Sequence, residues 1–69
     1  MEINKDYLAE IVSLVIESAD EIKAQKQIDN QDYGQLLAYA ETLSIIRDVC
    51  GEEEVKDLGL DFDIDKRYL

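Results

Sequence analysis

Apolar residues recur along the first third of the chain at spacings of three and four. Leu8, Ile11, Val12, Val15, Ala19 and Ile22 therefore share one face of a helix, at about 100° per residue. Tyr7 and Leu14 flank that stripe on one side and Ile16 widens it on the other, while Glu10, Ser13, Glu17, Asp20 and Glu21 fall on the wet side. The pattern predicts a helix over residues 5–26. Asn4 is placed to cap its start, with Ile3 and Leu8 closing a hydrophobic staple across the cap. Asp6 in the first turn and Lys23 and Lys26 in the last complement the helix dipole.

A second helix is predicted over residues 30–50, and its pattern differs. Tyr33, Leu36, Tyr39, Ala40, Leu43, Ile46 and Cys50 form a broad apolar face. Ala38, Ile45 and Val49 fall almost opposite, with Gly34 and Thr42 beside them. A helix packed on one neighbour needs one stripe, so this one calls for two neighbours. Gly34 and Ala38, small and four apart, would let another backbone come close on the second face. Something besides the first helix must then cover Ile45 and Val49. If both face water with no neighbour, the two-sided reading is wrong and the partner-seeking account falls with it. Arg47 lies within the broad face, either solvated at its edge or reaching a carboxylate of the first helix or of another copy.

Between the helices, residues 27–30 contain no glycine or proline. The break is read from a second start signal: Asp29 as N-cap, Asp32 completing a capping box, and Ile28 and Tyr33 as a staple. A connection this short returns the chain antiparallel. One continuous helix through residues 23–34 is the alternative. Gly51 is assigned to the left-handed position that closes the second helix.

Residues 51–69 form the C-terminal turn and tail. Glu52 to Asp57 can make one or two helical turns, ended by Gly59. Leu58, Leu60, Phe62 and Ile64 then alternate with Gly59, Asp61, Asp63 and Asp65, a period of two that reads as extended chain. A lone strand must lie across the helices, pair with a second copy or await a partner. The expected fold is all-α. It is a single domain, an antiparallel hairpin of two long helices with a short C-terminal turn and an extended tail, completed into a bundle by dimerisation.

Composition supports the last step. At 69 residues, a single core rarely supplies more than about 3–5 kcal/mol. An internal disulfide is excluded by a single cysteine, and the absence of histidine removes the usual ligand for a structural metal. A second copy remains. The net charge of −10 works against binding phosphate backbones or anionic membranes, and suits solubility or a basic protein partner. No targeting segment or apolar run of about 20 residues is present. With the lone thiol, this reads as a small cytoplasmic protein, bacterial or phage-encoded.

The chain offers little for catalysis. Without histidine there is no nucleophile–histidine pair. Cys50, at a helix C-terminus and followed by acids, reads as a dulled thiol acting as a small hydrophobe. Asp61, Asp63 and Asp65 open like a calcium loop, but Lys66 stands where that loop needs glycine. No enzyme activity, cofactor or metal is expected. The first functional expectation is a regulatory or accessory module that self-associates or binds a protein partner. Its interface would use Gly34, Ala38, Ile45, Val49, Leu58, Leu60, Phe62 and Ile64. The second is a phage-type acidic inhibitor that imitates the phosphates of a duplex in the cleft of a restriction or CRISPR nuclease. Its acidic face would use Glu10, Glu17, Asp20, Glu21, Glu41 and Asp48, extended by Glu52 and Glu53. The third is an antitoxin- or immunity-like role in which the tail wraps a partner.

Overall fold

A computed structural model describes residues 5–69, with the side chains described from residue 6 onward. The predicted Asn4 cap and the Ile3–Leu8 staple lie outside the described residues. Four helices follow in order: α1 (Lys5–Lys23), α2 (Asn30–Val49), α3 (Glu52–Asp57) and α4 (Ile64–Tyr68). No strand occurs among the described residues.

The hairpin is as expected. α1 stops at Lys23, three residues earlier than predicted. Asp29, in extended backbone, caps α2: its side chain accepts from the Asp32 N–H at 2.7 Å, and the Asp32 carboxylate reaches back to the Asp29 N–H at 3.5 Å. That capping box satisfies orphan donors at the start of the helix and fixes the break, so no continuous helix runs through residues 23–34.

The end of α2 differs from expectation. Gly51 is not left-handed; with φ −75° and ψ 166° it is the N-cap of α3. The reason lies in the residues after it. Glu52, Glu53 and Glu54 place three acids in the first turn of a new helix, where the dipole favours them. The left-handed glycine is Gly59, at φ +73°. It closes α3 in a Schellman motif, with Gly59 N–H donating to the Lys56 carbonyl at 3.0 Å and Leu60 N–H to the Val55 carbonyl at 2.9 Å.

The tail is the main correction. The period-two pattern over Leu58–Asp65 does not make an extended segment. Asp63 caps a short helix by accepting from the Lys66 N–H at 3.1 Å, and Ile64 and Tyr68, four apart, then fall on one side of it. α4 packs against both α1 and α2. It completes a core of Val12, Ala19 and Ile22 from α1, Leu36, Ala40 and Leu43 from α2, and Leu60, Ile64 and Tyr68 from the tail. Tyr68 is the largest fully buried side chain.

Candidate functional site

The C-terminal helix is held by a polar cluster at the middle of the chain. Asp20 accepts from one Arg67 guanidinium nitrogen at 2.8 and 3.0 Å and from the Tyr68 hydroxyl at 2.8 Å. Arg67 also lies over the rings of Phe62 and Tyr68, 4.7 and 5.4 Å from their centroids. The Tyr68 phenol is pushed up to about 12, first by burial and then by its hydrogen bond to Asp20 and the charge there, with Arg67 pulling the other way. From α2, Arg47 stays exposed at the edge of the apolar face and donates to the Phe62 carbonyl at 3.0 Å. These contacts engage Asp20, although its side chain is still 41% exposed. Glu10, Glu17, Glu21, Glu41 and Asp48 remain exposed.

The tail residues assigned to a partner are used otherwise. Leu60 and Ile64 are fully buried, and Leu58 and Phe62 are half-buried against the core. Their own chain has already covered them because α4 is a helix rather than a strand. The remaining interface candidates, Gly34, Ala38, Ile45 and Val49, are all exposed. Ile45 and Val49 are 62% and 81% exposed, and a Cβ added at Gly34 would meet nothing within 4 Å. α4 is a second neighbour of α2, but among the described residues nothing covers Ile45 and Val49. The reason is where α4 docks. It packs on both long helices, bonded to Asp20 of α1, while Phe62 just before it accepts from Arg47 of α2. The two-sided reading of α2 is overturned, and the partner account that rested on it falls with it.

A different feature emerges once the two long helices are placed together. α4 marks one side of the hairpin, through Asp20 on α1 and through Ala40 and Ser44, which line a hollow with Asp65 and Leu69, on α2. In an antiparallel pair, the same sense of rotation away from the facing surfaces leads to the same side on both helices. The arc opposite α4, at about 100° per residue, holds Tyr7, Leu8, Ile11, Leu14, Val15, Ser18 and Ile22 on α1. On α2 it holds Gln31, Gln35, Ala38, Tyr39, Thr42, Ile46 and Val49. None of these residues is charged. Ile45 lies outside it and lines the hollow of Ala40, Ser44, Asp65 and Leu69, together with Glu41 and Asp48. Asp32, at the edge of the arc, is occupied by the capping box. Of the side chains on the arc, Tyr7, Ile11, Leu14 and Val49 are large apolar groups that remain exposed. Glu10, Glu17, Glu21, Glu41 and Asp48 all lie off the arc, as do Asp61, Asp63 and Asp65 of the tail.

An open groove of about 830 Å³ runs between the end of α2, α3 and residues 61–65. Arg47, Asp48, Glu52, Lys56, Asp61, Asp63 and Asp65 line it. Arg47 and Asp63 are already engaged, by the Phe62 carbonyl and by the α4 cap. No group of three or more metal-ligating side chains occurs among the described residues. Half-buried Cys50 has its thiol pushed up, by desolvation first and then by its hydrogen bond to Glu54 and that residue's charge, which lowers its nucleophilic fraction. No helix among the described residues is long and apolar enough to cross a membrane. Compared with known proteins, the chain matches no family model, no curated protein and no solved structure.

Proposed function

We propose that this protein is a non-enzymatic protein-interaction module that works in the cytoplasm, and that it docks through the uncharged face of the α1–α2 hairpin. The observation that carries this reading is the segregation of charge. In a chain with 17 acidic and 7 basic residues, a solvated helix face should carry its share of charge. Here a two-helix arc carries none and exposes Tyr7, Ile11, Leu14 and Val49 among uncharged polar residues such as Ser18, Gln35 and Thr42. Exposed apolar side chains scattered singly need no explanation, but several grouped on one uncharged face and rimmed by charge favour an interaction site. Burying each exposed isoleucine, leucine or valine would contribute on the order of 1.5–3 kcal/mol.

The acidic-decoy reading is weaker, because Asp20 is bound to Arg67 and Tyr68, and because Lys56, Lys66 and the guanidinium groups interrupt the acids. A tail that wraps a partner gains little when Leu60, Ile64 and Tyr68 are already buried.

A photo-crosslinking residue placed at Val49, with the same residue at Glu17 as control, tests the docking face in cells. The expected result is a protein adduct from position 49 and little from position 17. Adducts from position 17 alone would transfer the function to the acidic side. No adduct from position 49 would remove the reading.

A further inference from the structure

We draw no further inference here: the strongest candidate, the hollow beside α4 where Glu41, Asp48 and Asp65 surround exposed Ile45 and Leu69, is an apolar patch ringed by acids, and nothing in the structure shows what covers it.

Discussion

Tyr68 shows how one side chain ties the ends of this fold together. Its ring is buried with Ile64 and Leu60, and its hydroxyl reaches Asp20 at 2.8 Å. Removing that hydroxyl in Tyr68→Phe is expected to cost about 1–2 kcal/mol at neutral pH, because a part-buried bond to a carboxylate is lost. The effect depends on pH in a defined direction. The folded protein keeps the phenol proton to about 12, whereas an unperturbed tyrosine loses it at about 10. Between those values the folded state binds more protons than the unfolded one, so stability falls as pH rises through the window. Tyr68→Phe lacks this loss. Urea unfolding at neutral pH and again between pH 10 and 12 should show the gap between native and variant chains closing as pH rises. A gap that stays constant would mean that the hydroxyl is not held by Asp20.

The glycines make a similar point at single positions. Gly59 has φ +73°, so Gly59→Ala should cost about 1 kcal/mol of stability through left-handed backbone alone. Gly51, at φ −75°, should accept Ser and gain a side-chain cap on α3, worth roughly a few tenths of a kcal/mol. Both can be measured by thermal unfolding monitored at the helical circular dichroism band. The reverse order of effects would place the left-handed turn at Gly51.

Among the elements, the long helices were readable because their signals are local and redundant. The stripe from Leu8 to Ile22 repeats over several turns, and Asp29 with Asp32 supplies a cap that two hydrogen bonds realise. α4 was misread because it is one turn long, too short for a period to declare itself. Alternation over Leu58, Leu60, Phe62 and Ile64 matched a strand by coincidence, while the deciding signals were Asp63 as a cap and the spacing of Leu60, Ile64 and Tyr68. Gly51 was misread for a related reason: a glycine after one helix and before another serves either, and the three glutamates that follow it decide. Since the tail supplies part of the core, Ile64→Ala should cost about 2–5 kcal/mol, most of what a chain this small can hold. Loss of the cooperative melt is the expected result. A melt unchanged from the native chain would mean that α4 is not docked.

At the scale of the whole molecule, the acidic composition was plain but its distribution was not. Each helix taken alone suggests only a wet side and a dry side. The uncharged arc becomes a surface once the antiparallel pairing sets Ile11 and Leu14 of α1 on the same side as Val49 of α2, and once α4 is seen to occupy the other side. Sequence alone marked Ile45 and Val49, and it gave a reason, two covered faces on α2, that the single chain does not bear out. The charge-free arc across two helices replaces that reason for Val49 alone.

The functional reading stands on that arc being a docking face. The decisive measurement is crosslinking in cells from a photo-reactive residue at Val49, with the same residue at Glu17 as control. A protein adduct from position 49 and little from position 17 is the predicted result. No adduct from position 49, or adducts from position 17 alone, would contradict the docking face.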